Sequence, residues 1–239
     1  RDVQVSLGDL TLLVGPQASG KSLFLELFKL VNDHAHILST LRKYNYILSK
    51  NDSKPFLENY FGEGMSLLAT EKTSIEYRNE IFDLKKLLVS KNSPVSESVF
   101  YVPAQRILSI SDGRAKNFME FDISTPYTLR IFSETLRVFV QGGLGNPETI
   151  FPMRTRLKGK LKESINDTIF HDAQVVIDQS SGQRKMKLQV GNTRLPFMTW
   201  SAGQKEFMPL LLAIYCLSGP PTPVLKKENY KWVIIEEPE

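Results

Sequence analysis

The feature that most constrains this chain is an eight-residue stretch near its start: Gly15, Pro16, Gln17, Ala18, Ser19, Gly20, Lys21 and Ser22. It satisfies G-x-x-x-x-G-K-[ST] at every fixed position, and each fixed residue has a physical task. Gly15 and Gly20 permit backbone angles that a side chain disfavours, so successive N–H groups can face one anion. Lys21 is a point charge for β and γ phosphates, and the Ser22 hydroxyl is a ligand for Mg²⁺. Ahead of the loop, the apolar residues 10–14 are expected to form a buried strand. Behind it, Leu23, Phe24, Leu27, Phe28, Leu30 and Val31 mark one face of a helix. The start of that helix offers free N–H groups and a positive dipole end to the same phosphates. The pattern arises by chance in roughly one per cent of chains this long, and the strand and helix around it lower that figure. Residues 15–22 are therefore expected to bind a nucleotide.

Composition sets the frame around this loop. The chain has 239 residues, 41% hydrophobic and 23% charged. That balance excludes a disordered tail, a collagen-like fibre and a coiled-coil rod. A chain of this length buries roughly 70–75% of its unfolded surface and needs no disulfide staples. Cys216 is the only cysteine, which fits a reducing, cytoplasmic setting. The net charge of +4 says little about partners. The longest apolar run, 210–217, has the length of a core helix, so no membrane role is expected. Residues 1–10 lack the apolar centre of a signal peptide. The chain starts at Arg1 and stops at Glu239, directly after an apolar strand, and is expected to be a piece of a longer protein.

Further along, a second helix is expected over 35–50 and a turn-rich stretch containing Pro55 over 51–64. Residues 74–78 and 81–84 flank Asn79 and Glu80 as a hairpin. Residues 98–102 read as a central strand ending at Pro103. An amphipathic helix over 128–140 precedes a Gly-rich loop, 141–147. Residues 173–178 and 184–190 form a hairpin around Ser180, Ser181 and Gly182. A buried helix over 210–217 leads through a Pro-rich linker, 219–223, to a last strand, 232–235. The sum is a layered α/β core with an antiparallel arm.

That last strand runs straight into Glu236, Glu237, Pro238 and Glu239. Carboxylates at the end of a buried strand are unusual, because unpaired charges avoid cores. A phosphate-bound Mg²⁺ relieves the cost if Glu236 holds the metal. Glu237 is then placed to polarise the water that attacks the γ phosphate. The plain alternative is an exposed acidic loop.

Ahead of the 210–217 helix stand Ser201, Ala202, Gly203 and Gln204. Ser201 is a suitable N-cap, with Gln204 three residues on as in a capping box. Pro209 is expected to kink that helix or delay its start. The alternative to capping is a second phosphate-binding helix N-terminus. This segment resembles the signature of ABC-class ATPases, usually Ser-Gly-Gly-Gln. The order of phosphate loop, signature and acid-ended strand is the order of that class, whereas helicases and kinases with a phosphate loop lack the middle element. Tyr101, Val102, Pro103, Ala104, Gln105 and Arg106 add a glutamine at the end of the intervening strand. It resembles the Q-loop, which touches Mg²⁺ and the attacking water.

The Glu236-Glu237-Pro238-Glu239 ending resembles the soluble OLD, RecF and SMC-like groups rather than transporters. Those groups usually act on DNA or in bacterial and phage-defence systems. The resemblance implies an α/β fold of the P-loop NTPase, ABC-ATPase type: a mixed sheet with helices, an antiparallel β arm and a missing C-terminal part. Residues 1–239 are then one head domain, with a helical and β-rich insertion at about 32–97 and a helical region at about 125–172. It implies ATP and Mg²⁺ as cofactors, with Lys21, Gln105 and Glu237 catalytic. Residues 15–22, Ser201, Gly203 and Gln204 hold nucleotide, and Ser22, Gln105 and Glu236 hold metal. Two copies meet head to tail around ATP, as a homodimer or a higher homo-oligomer; DNA and an effector such as a nuclease are the further partners. The runner-up is a nucleotide-gated scaffold with slow turnover that restrains such an effector. Ala202 for the first signature Gly and Glu236 for Asp depart from the pattern.

Four weaker features stay open. Arg154, Arg156, Lys158, Lys160 and Lys162 recur with period two, as one face of a strand touching a DNA backbone or as a solvated surface. Arg106 touches phosphate or pairs with an acid. Trp200 packs or contacts a base. His34, His36 and His171 lack metal-ligand companions and read as structural.

Overall fold

The computed structural model describes residues 3–48, 52–68, 73–84, 96–144, 148–153, 156–180, 182–218 and 230–237. Residues 49–51 and 145–147, Arg154, Ser181, the linker 219–223, Pro238 and Glu239 lie outside the described residues. The fold is mixed α/β, with several separate sheets, one of them antiparallel and four-stranded.

Helix α1 (Lys21–Lys43) absorbs the first expected helix and most of the second. No Gly or Pro interrupts 32–36, and Ile37, Leu38 and Leu41 prolong the buried face. It stops before 50 because Asn45 turns left-handed (φ 60). The Tyr46 N–H then donates to Leu41 O (3.0 Å) and the Asn45 N–H to Arg42 O (2.9 Å), which closes the helix end. The supposed turn-rich stretch holds α2 (Lys54–Phe61), where Pro55 sits in the first turn and starts a helix rather than breaking one. In the hairpin β1 (Ile75–Tyr77) and β2 (Glu80–Phe82), the turn residues are Arg78 and Asn79, both left-handed. Such a turn matches strand twist, so Glu80 belongs to the strand.

The central strand β3 is Val99–Val102, buried throughout. A small hairpin, β4 (Ile110–Ser111) and β5 (Arg114–Ala115), follows a 3₁₀ turn over Arg106–Ser109. Helix α3 (Tyr127–Val138) runs into one π turn, Phe139–Gly143, where a loop was expected. Strands β6 (Thr149–Phe151), β7 (Gln174–Asp178), β8 (Lys185–Val190) and β9 (Thr193–Pro196) form the antiparallel arm in that order. Between β6 and β7 lies α4 (Gly159–Ile165). Lys160 and Lys162 are on this helix, and Arg156 is buried, donating to Tyr215 O (2.8 Å) and lying over the Phe139 ring. The described part of the basic run is therefore not one face of a strand. Helix α5 (Ala202–Ser218) contains Pro209 without ending there. Finally β10 (Trp232–Ile235) pairs in parallel with β3, Trp232 opposite Val99 through Ile235 opposite Val102.

The largest apolar core lies between the arm, α3 and α5. A second gathers the inner face of α1 with α2, Phe118 and Tyr127. A third packs Leu25 and Phe28 of α1 on Val99, Tyr101, Trp232 and Ile234 of the parallel pair. Residues 10–14 depart from expectation. They carry no strand assignment, and Leu10, Leu12 and Val14 are 94%, 77% and 84% exposed. Apolar character makes a strand only where an edge accepts it; among the described residues, β3 and β10 pair with each other alone.

Candidate functional site

The site is organised by the direction of α1. Near the start of β3, Lys29 is fully buried and donates to Val99 O (2.6 Å), Glu97 Oε1 (2.5 Å) and Asp33 Oδ2 (3.2 Å). Asp33 in turn accepts the N–H groups of Ser98 (2.8 Å) and Val99 (3.0 Å). A buried lysine is tolerable only with such partners. One turn earlier on α1, Glu26 lies by Tyr101 and Glu236, at the other end of the strand pair. Helix α1 thus runs antiparallel to β3 and β10, with its first turn directed toward their carboxyl ends. Crevices at that end of parallel strands are where α/β folds bind ligands.

At the start of α1, Gly20 is left-handed (φ 93) and no side chain caps the helix. The Lys21 ammonium folds back into the loop, donating to Gly15 O and Pro16 O (both 2.7 Å) and to Ser19 Oγ (3.3 Å). Ala18 is left-handed too (φ 56). Gln17, Ser19 and Ser22 are exposed. The loop therefore holds an inward cation beside an uncapped helix N-terminus, the two elements an anion needs.

At the end of β10, the Glu236 N–H donates to Val102 O (3.0 Å), and Glu236 Oε2 accepts the Ala104 N–H (3.2 Å). Its Oε1 is buried beside the Tyr101 hydroxyl, and neither atom has another hydrogen-bond partner among the described residues. Arg106 Nη1 donates to the main-chain oxygens of Glu236 (3.1 Å) and Glu237 (3.0 Å). In these bonds Arg106 holds the backbone of the acidic segment. Glu237 is exposed and left-handed (φ 44). Gln105 is exposed in the turn after β3, adjacent to the two residues that hold the acids. A cleft of about 160 Å³ is lined by Ala104, Arg106, Ile107, Glu237 and Glu206 of α5.

Burial pushes the Glu26 carboxyl up to about 8; a hydrogen bond from Thr128 (3.1 Å) opposes this and the charge of Glu236 adds to it. Burial, then the charges of Glu236 and Glu26, hold the Tyr101 hydroxyl well above its ordinary range. Glu26 was not singled out in the sequence. The available signal was an acid three places from Leu23 and four from Leu30, inside an apolar helix face.

At the start of α5 the capping box forms. The Gln204 N–H donates to Ser201 Oγ (3.3 Å) and the Ser201 N–H to Gln204 Oε1 (3.1 Å). Ser201, Ala202 and Gly203 are exposed, whereas Trp200 is buried against Phe197 and packs rather than meeting a ligand. Burial pushes the Cys216 thiol up to about 12, as for a packing residue.

No group of three metal-ligating His, Cys, Asp or Glu side chains occurs among the described residues. Mg²⁺ at a phosphate site does not need one, because it keeps several waters and takes one or two protein oxygens beside the phosphates. The buried Glu236 Oε1, beside Tyr101, and the exposed Ser22 hydroxyl fit that donor set. No helix among the described residues is long and apolar enough to cross a membrane. No protein-family model, no curated protein and no solved structure matches this chain.

Proposed function

We propose that this chain binds ATP with Mg²⁺ on residues 15–22 and hydrolyses it, as the head of an ATPase of ABC type. The observation that carries this reading is the shared location of two features. A loop lysine and an uncapped helix start begin the helix whose Glu26 lies by Glu236 at the strand ends, and Glu236 Oε1 is buried there beside Tyr101. Lys21 would exchange the Gly15 and Pro16 carbonyls for β and γ phosphate oxygens. Ser22 and Glu236 would hold the metal, which when bound offsets phosphate charge. Gln105 and Glu237 would orient and polarise the attacking water. Ser201, Gly203 and Gln204 of a second copy would close the site in trans, so that ATP joins two heads. DNA and an effector such as a nuclease are the further partners the resemblance implies.

The test is titration of the protein with a fluorescent ATP analogue, with and without Mg²⁺, beside steady-state ATPase and sizing. Saturable Mg²⁺-dependent binding is expected, and absence of binding overturns the reading. Glu237→Gln is expected to stall turnover and trap an ATP-bound dimer. Ser201→Arg is expected to abolish ATP-driven dimers while monomers still bind. The slow-turnover scaffold is favoured by one observation: the Ser201–Gln204 cap is already closed on itself. Tight binding with near-zero turnover, with and without DNA, would select it.

A further inference from the structure

Glu237 has a left-handed backbone, φ 44, which for a residue with a Cβ costs about 1–2 kcal/mol. Such a conformation persists only where its surroundings over-determine it. Among these surroundings one side chain grips the turn directly. Arg106 is 6% exposed, and its Nη1 donates to the carbonyls of both Glu236 and Glu237. The base of Arg106 is itself fastened. Its main-chain oxygen accepts from Ser109 Oγ (2.6 Å), and Ser133 Oγ of α3 donates to Ser109 O (3.0 Å). The same 3₁₀ turn, Arg106–Ser109, packs against α5, whose Glu206 lines the same cleft as Glu237.

We propose that Arg106 is the positioning residue for Glu237: by gripping two successive carbonyls it fixes the left-handed turn that sets the Glu237 carboxylate at the cleft beside α5. This rests on the proposed function, in which Glu237 polarises water. In these two bonds Arg106 holds main-chain oxygens of the segment that carries Glu237. Misplacement by about 1 Å costs a catalytic group on the order of a hundredfold in rate. A guanidinium suits the task because several of its N–H groups point in fixed directions, whereas an ammonium offers one movable point charge.

The experiment compares the wild-type protein with Arg106→Ala and Arg106→Lys by amide hydrogen exchange, nucleotide titration and steady-state kinetics. Exchange reads the grip itself, because the Glu236 N–H bond to Val102 O is the last rung of the β3–β10 ladder. In Arg106→Ala, exchange at Glu236 should rise about tenfold while α1 stays protected. The kcat should fall about a hundredfold, with KM and ATP affinity within about twofold. Arg106→Lys should recover part of both, and it carries the test if the alanine variant does not fold. Unchanged exchange at Glu236 overturns the proposal, as does an equal loss of affinity and kcat. If the wild type binds no nucleotide, the proposed function fails, and the exchange measurement alone decides whether Arg106 holds the turn.

Discussion

Two helix beginnings in this molecule have been solved in opposite ways. Helix α5 satisfies its own first turn, with Ser201 and Gln204 exchanging hydrogen bonds. Helix α1 does not: Gly20 provides no capping side chain, and the nearest cation, Lys21, points back at loop carbonyls. An uncapped start leaves N–H groups to be satisfied from outside. The difference teaches which of the two is ready for an anion. The α1 start can accept phosphate by releasing Lys21 alone. The α5 start must open a box that already serves it, which suits a site that engages only when a second copy arrives.

The sharpest way to break this comparison is Lys21→Ala. Charge-assisted hydrogen bonds are worth about 1.5–3 kcal/mol each. Affinity for an ATP analogue should therefore fall about a hundredfold by titration, while the unfolding midpoint moves little, because Lys21 binds only its own loop. Unchanged affinity would mean that the α1 start is no more an anion site than the α5 start.

A second test uses the glutamate in the second turn of each helix. Glu26 on α1 is packed inside, and burial pushes its carboxyl from 4.5 up to about 8. The folded state then holds the proton more tightly than the unfolded state. Stability is full below about pH 4.5 and is lost as pH rises through about 8. Glu26→Gln should remove this slope and raise stability at pH 9 by on the order of 2 kcal/mol, read from urea midpoints across pH 5–9. Glu206→Gln on the exposed face of α5 should change stability by less than about 0.5 kcal/mol at any of these pH values. A wild-type slope that survives Glu26→Gln would place the titrating group elsewhere.

How much of this was readable beforehand follows from the range of each interaction. The capping box was legible because Ser201 and Gln204 lie three residues apart and act locally. The strands at 99–102 and 232–235 were legible from unbroken apolar runs, although their parallel pairing was not. The strand expected at residues 10–14 failed because a strand is defined by its neighbour, and no period-two pattern carries its neighbour's identity. The one-residue slip in the first hairpin came from weighing Asn79 with Glu80, when Arg78 takes the left-handed angle as well. The grip of Arg106 on Glu236 and Glu237 joins residues about 130 positions apart through main-chain oxygens, which no side-chain pattern encodes. Glu26 was partly legible as an acid within an apolar face; its neighbour Glu236 was not.

A smaller effect separates the two serines. Ser201→Ala removes the oxygen that accepts the Gln204 N–H, and losing such a cap costs about 1 kcal/mol. Ser22→Ala removes an exposed hydroxyl and should cost less than about 0.5 kcal/mol, yet it should weaken Mg²⁺-dependent ATP binding. Equal stability losses in urea unfolding would show that the two helix starts are not capped differently after all.

The last change is the most pointed, because it predicts opposite signs at the two glycines. Gly20 sits at φ 93, and a Cβ there meets no atom within 4 Å, so Gly20→Ala is penalised by backbone alone, about 1–2 kcal/mol. Gly203 is helical and equally open, so Gly203→Ala gains the helix propensity of alanine, up to about 1 kcal/mol. Urea midpoints should move down for the first and up for the second. If α5 serves as a trans anion site, the stabilised Gly203→Ala variant should nonetheless form fewer ATP-dependent dimers, because its Cβ stands where a partner's phosphate must approach. A variant that gains stability and keeps full dimerisation would leave α5 as a well-capped core helix and return all anion binding to α1.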